Sequence, residues 1–212
     1  MKSLLMCLML IVSMSDNLLA AEGNRHLNSA SANSEYKCFV IAVREPWKES
    51  TINDGLQVKT RTFVVTIPTN VVLVGLGTAI TVFRYEKTPD IVIGTEDENT
   101  FYLSNDNITL REALELIFIR TLKDHEISQK YNLETWNNFM LLKKFFLGKG
   151  GKAFIYEKGP LTVFFIPDAG EPFNNVAWAF HANNPNSALR IESNMGIEKF
   201  KDILFSIRTK EK

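Results

Sequence analysis

The stretch KAFIYEKGPLTVFFIPDAGEPFNNVAWAFHANNPNSALRIE, residues 152–192, decides the fold class. It holds four apolar runs: KAFIYE, LTVFFI, NVAWAFHA and SALRIE. The breaks between them are Lys158-Gly159-Pro160, Pro167-Asp168-Ala169-Gly170 and Asn183-Asn184-Pro185-Asn186. Each run is short and rich in β-branched and aromatic residues, the pattern of a strand bounded by turn formers. Connections this short force sequential strands to lie antiparallel, so the stretch predicts a four-strand meander. In the third strand, alternation puts Val176, Trp178 and Phe180 on one face and Ala177, Ala179 and His181 on the other. The shallow alanine face suits close packing of a helix.

Such a helix follows at once. In GIEKFKDILFSIR, from Gly196, Ile197, Phe200, Leu204 and Ile207 share one face with Ile203 beside them. Glu198, Lys199, Lys201, Asp202 and Arg208 are expected to face water. Upstream, NITLREALELIFIRTLKDHE opens on a T-x-x-E capping box, Thr109 and Glu112. Leu110, Ala113, Leu114, Ile117, Phe118, Thr121 and Leu122 then recur at helical spacing, and Leu116 and Ile119 widen the stripe. NLETWNNFMLLKKFFLG reads as another helix, closed at Gly148 with Lys143 and Lys144 near its C-terminus.

The first half of the folded part is mainly β. CFVIAV from Cys38 reads as a strand and REPWKESTINDG as a loop turning at Asp54-Gly55. LQVKTRTFVVTIP alternates at Val58, Thr60, Thr62 and Val64 and stops at Pro68. TAITVFRY, DIVIG and TFYLS are further strands. The expectation is a single α+β domain over 38–212: an antiparallel sheet, made of the C-terminal meander and N-terminal strands, packed with two or three helices.

This arrangement resembles the PsbP-like fold, an antiparallel sheet sandwiched by helices. The residues that carry the resemblance are the F-x-x-I-L-x-S of the last helix (Phe200, Ile203, Leu204, Ser206) and the FVVTIP strand running into Pro68. The two helices between the β halves fit as well. The resemblance implies an assembly or binding factor and carries over no catalytic residue.

What precedes the domain bears on location. MKSLLMCLMLIVSMS places Lys2 before an apolar run from Leu4 to Val12 and then small residues, the order of a secretory signal. That run is far shorter than the roughly 20 residues a membrane span needs. Ser15, Ala20 and Ala21 all suit a cleavage point, so residues 1–21 are read as a signal peptide. Residues 22–37 are polar, small and aperiodic, and read as a flexible tail. Cleavage would leave Cys38 alone, with no intramolecular disulfide possible. The expected location is periplasmic or secreted, with no membrane span in the mature chain.

Composition excludes some chemistry. Lys plus Arg equals Asp plus Glu at 24 each, so no global field draws nucleic acid, and none is expected as a partner. Three scattered histidines give no metal-ligand spacing. VGLGTAI (Val74–Ile80) fails the dinucleotide fingerprint at Ile80 and reads as a hairpin turn or bulge. LGKGGK (Leu147–Lys152) has a helix before it and a strand after it, the reverse of a P-loop. No cofactor is therefore expected. His181 and His125 lack a visible carboxylate or nucleophile partner and read as a strand-end and a helix-end residue. Exposed aromatics among asparagines suit protein recognition. That makes Trp47, Phe173, Asn174 and Asn184 the candidate contact residues for another exported or envelope protein. The sequence thus points to a protein-binding module without catalysis. A carrier of a small apolar ligand or lipid, or a hydrolase using His181 or His125, are the other readings.

Overall fold

The structure is a computed structural model that describes residues 42–97, 108–118, 131, 139, 152–170 and 172–210. The signal and tail segments, Cys38, the TFYLS run, His125, the 132–148 helix apart from Phe139, and all of LGKGGK but Lys152 lie outside these residues.

The chain folds as α+β. Its meander is β7 (Ala153–Lys158), β8 (Leu161–Ile166), β9 (Asn175–His181) and β10 (Asn184–Ser193), each antiparallel to the next. Positive φ angles at Gly159 (56°) and Gly170 (98°) explain the glycines in two of the turns, and Asp168 takes φ 55° between them. An N-terminal meander, β4 (Val71–Leu76), β5 (Ile80–Tyr85) and β6 (Ile91–Asp97), joins it where β6 pairs antiparallel with β10. The short strand β1 (Ala42–Arg44) adds parallel to β7 at the far side. The resulting eight-stranded sheet runs β1-β7-β8-β9-β10-β6-β5-β4. A second sheet, in the order β11-β3-β2, contains β2 (Gly55–Lys59), β3 (Phe63–Pro68) and β11 (Arg208–Thr209).

The large sheet is covered on both faces, which is why β8 is buried at every position and apolar at all but Thr162. On one face lies α1 (Leu110–Phe118), whose buried stripe meets Phe164, Val176, Trp178 and Phe180, with Phe118 stacked on Trp178 at 5.7 Å. On the other lie α2 (Ile197–Phe205) and the small sheet, against Val163, Phe165, Ala177 and Ala179. The alternation expected for β9 is therefore the one found. The Thr109 hydroxyl caps α1 by accepting from the Glu112 amide at 3.1 Å, while the Glu112 carboxylate accepts from the Tyr131 hydroxyl at 3.3 Å.

Three local expectations need correction. LQVKTRTFVVTIP is not one strand but a hairpin, β2 and β3, broken at Thr60-Arg61-Thr62. Thr60 makes the turn with its own side chain: its hydroxyl accepts from the Phe63 amide at 3.0 Å, and its amide donates to Phe63 O at 2.8 Å. The polar face of α2 is also not all solvated. The 45–54 loop crosses it, so the Thr51 amide donates to Asp202 Oδ1 at 2.6 Å and Lys201 Nζ reaches Glu45 at 3.4 Å. Ile197, expected on the core face, is instead exposed at the start of the helix.

The F-x-x-I-L-x-S residues have distinct physical tasks. Phe200, Ile203 and Leu204 are fully buried. Ser206 ties the helix end to β3: its Oγ accepts from the Thr66 amide at 2.9 Å and sits 2.7 Å from Ile203 O and 3.0 Å from Thr66 O.

Two buried phenols couple the layers. Tyr85 donates to Pro68 O at 3.1 Å, and Tyr156 donates to Glu45 at 2.9 Å. Burial, then the nearby Asp90 charge, pushes Tyr85 up to about 12, and burial with the Glu45 hydrogen bond pushes Tyr156 up as well. A raised folded-state value means a contribution that is whole below the ordinary phenol range and lost as pH rises through the raised one. The fold should therefore weaken between about pH 10 and about 12. Two of the five tyrosines should gain phenolate absorbance only together with the loss of circular dichroism, which parallel alkaline titrations would read.

Candidate functional site

A sheet edge is a row of unpaired backbone donors and acceptors, and folded proteins blunt such edges. Among the described residues the two sheets have four edges, and three of them are blunted. The edge strand β1 has three described residues, and its Arg44 pairs with Glu157 at 2.6 Å. The strand β11 has two residues, and β2 ends on the exposed Lys59. The fourth edge, β4, differs on every count. It is six residues long, VVLVGL, and exposed from Val72 to Leu76. Residues 69–83 carry no charged side chain at all.

The register explains how both sides of this strand come to be apolar. Val74 lies opposite Phe83, and Leu76 opposite Thr81, on the face that α2 and the small sheet cover nearer the centre. Leu73 lies opposite Arg84 on the other face. The register slips between Val71 and Leu73, and Val72 is the extra residue of this bulge. Val71 still reaches the core, and the residues of β4 beyond it are exposed. Leu76 is 81% exposed, Val72 61%, Leu73 56%, and Ile80 on β5 40%. The ribbon itself is anchored, because the Thr95 amide donates to Ala79 O at 3.1 Å and the hairpin closes through the Gly77 amide to Ile80 O at 2.7 Å. At its base, Asn70, Val71, Val72, Tyr85, Glu86, Lys87 and Thr88 line a surface cleft of about 340 Å³.

A second constellation is polar and buried. Arg190 on β10 pairs through Nη1 with Glu96 on β6 and through Nη2 with Glu192 on its own strand. Glu96 also accepts from Trp178 Nε1 at 2.7 Å. Both carboxyls are almost fully buried, while Arg190 keeps a third of its side chain exposed. Burial raises the Glu192 carboxyl against the opposing pull of Arg190. Burial works against the charged Arg190, but the two acidic partners outweigh it, and the net direction is up. Both Arg190 Nη atoms, the Trp178 Nε1 and the two carboxylates are turned on one another, while the buried Arg190 Nε has no hydrogen-bond partner, and the group reads as structural. Among the described residues, no three His, Cys, Asp or Glu side chains are arranged to hold a metal ion, and no helix is long and apolar enough to cross a membrane.

The residues singled out from sequence do not form one surface. Trp47 is half-buried against the α2 layer, 5.7 Å from the Phe205 ring and with Lys158 Nζ 5.8 Å above it. Phe173 packs on the opposite face, against the α1 layer. Asn174 is exposed, and its amide donates to Asn194 Oδ1 at 2.7 Å. Asn184 pairs with His181 at the other end of β9. His181 Nδ1 accepts from the Asn183 amide at 3.1 Å, a local turn contact that fits its reading as a strand-end residue. The turn bearing Asp168 meets the opposite end of the strand, because Ile166 lies across from Val176 and Leu161 across from His181. Sequence reasoning missed β4 as a strand. The available signal was the Val71-Val72-Leu73-Val74 run after Pro68, but apolar runs of that kind normally mean burial on both faces. No family model matches the chain, and no curated protein or solved structure is significantly similar to it.

Proposed function

We propose that this chain is an exported, non-catalytic protein-binding module that engages its partner by strand addition at β4. An assembly or accessory factor and an immunity-type inhibitor both fit this description, and the partner is another exported or envelope protein in the periplasm or outside the cell. The observation that carries the reading is the long, uncharged, doubly exposed β4 edge, where the other edges among the described residues are short or charged. Main-chain hydrogen bonds along such an edge supply affinity, and alternating side chains supply specificity. Trp47 and Phe173 fit the same reading as core-edge packing that holds the sheet, with the contact moved from their loops to β4.

The test uses the immobilised chain and captures partners from envelope extract. Val74→Lys places a charge on the edge without touching the core. It should weaken capture at least about tenfold, or about 1.4 kcal/mol. The unfolding free energy should stay within about 0.5 kcal/mol of the parent, as for other surface changes. Capture that survives Val74→Lys and Leu76→Ser, and is lost instead with Trp47→Ala in a folded protein, would move the contact back to the loops.

A further inference from the structure

We infer that, in the chain free of that partner, the β4 edge is covered by a second copy of this chain, paired antiparallel about a two-fold axis so that the two eight-stranded sheets become one continuous sheet. The inference rests on the reading of β4 as a contact edge and names what covers it until the partner displaces it.

Three observations lead there. A two-fold lays an edge strand against itself in antiparallel sense, so the outward N–H and C=O groups of one β4 face the matching groups of the other. The only requirement on the sequence is tolerance of its own side chains across the axis. Like charges opposed across a strand pair are destabilising, and residues 69–83 hold none. The side chains that would meet are Val72, Leu73, Val74 and Leu76, a set of β-branched and aliphatic groups that suits cross-strand pairing on both faces at once. The chain's balance of 24 basic and 24 acidic residues leaves no long-range repulsion between copies to oppose the approach. The remaining edges do not offer this. Over the described residues a self-paired β1 or β11 would have three or two residues in register, and β1 would bring its Arg44–Glu157 pairs along the seam.

The bulge at Val72 bends one end of the strand, so the paired segment centres on Leu73 to Leu76. Charged substitutions there should act strongly, while Leu56, exposed on the other sheet, should have no effect.

The experiment takes the full chain as its host produces it and measures mass by sedimentation equilibrium from about 1 to about 100 µM, a range that reads dissociation constants typical of modest interfaces. Hydrogen exchange of the 71–76 amides is followed over the same range. The expected result is a doubling of mass with rising concentration and at least tenfold slower exchange of these amides in the dimer. Val74→Lys should stay monomeric and Val74→Thr and Leu56→Ser should dimerise as the parent does. A mass that stays monomeric at every concentration, with exchange at 71–76 unchanged, overturns the second copy as occupant. In that case, slowed exchange on adding the protein captured from envelope extract would leave the binding-edge reading standing. Exchange unchanged by that protein too would remove both. A dimer that forms equally well with Val74→Lys would place the self-contact elsewhere and overturn the inference.

Discussion

Phe200→Ala should lower the unfolding free energy by about 4 kcal/mol, the range for emptying a buried aromatic site. Phe200 is fully buried, with its ring 5.3 Å from that of Phe165. It fills the hollow that Ala177 and Ala179 leave on the sheet, between Ile203 and Leu204 of its own helix and the strands beneath. That hollow cannot collapse, because the sheet is held from the far side by α1 and the helix end is held by Ser206 to β3. Most of the cavity should therefore persist, and cavity volume adds to the lost transfer energy. Domains of this size have about 5–15 kcal/mol in all, so the loss is a large part of the whole. Urea unfolding should show a lower midpoint at an unchanged slope. Phe200→Leu, which keeps much of the volume, should cost about 1.5 kcal/mol or less. A loss below about 1.5 kcal/mol for the alanine variant would mean that α2 does not seat on the alanine face as described.

Arg190→Met is the second large effect, about 3 kcal/mol near neutral pH, and its sign with pH is distinctive. Methionine keeps the length and removes the cation, leaving Glu96 and Glu192 buried without the charge they shared. Removing one partner of a buried ion pair costs far more than the pair's net worth, because the remaining charge stays desolvated. The Glu192 carboxyl already stands above its ordinary value, with burial the first cause. A carboxyl raised in the folded state favours the fold when protonated, so its contribution is lost as pH rises through the raised value. Taking Arg190 away removes the attraction that opposed the rise, and widens this effect. The penalty should therefore be greatest near pH 7 and shrink toward about pH 5, as the carboxyl takes up its proton. Urea titrations of parent and variant at both values would measure it, and adding Glu192→Gln should recover part of the loss. A penalty independent of pH would show that the guanidinium matters for its packing and not for its charge.

The parts of this fold that sequence could reach were those fixed by local pattern. The β7–β10 turns are marked by Gly159, Pro160, Gly170 and Asn183, and the two faces of β9 follow from alternation alone. The helical stripe from Leu110 to Phe118 follows from its spacing. What escaped was set by contacts between distant segments. Thr60 makes its turn without glycine or proline, so β2 and β3 read as one run. Lys201 and Asp202 look solvated until the 45–54 loop is laid over them. Glu96 and Arg190 sit on separate strands whose register is fixed only when β6 meets β10. The candidate edge was the least legible of all. Val72, Leu73 and Val74 have the composition of a core strand, and only the reach of the layers above and below the sheet decides that they are bare. Trp47 and Phe173 show the converse: aromatics in polar loops that turn inward to seal the ends of the core.

The pairing of β6 with β10, which sets Ser187 opposite Asp97, has a consequence for biosynthesis. Strands β4, β5 and β6 emerge from the ribosome as a ribbon whose inner margin meets β10 only when the final third of the polypeptide is translated. Through that interval the nascent ribbon offers two open margins instead of one, and such intermediates stick to one another. Closure also depends on contacts far apart along the chain, which form slowly. A stalled or prematurely terminated product should therefore be a heavy client of holding chaperones, while the finished protein is not.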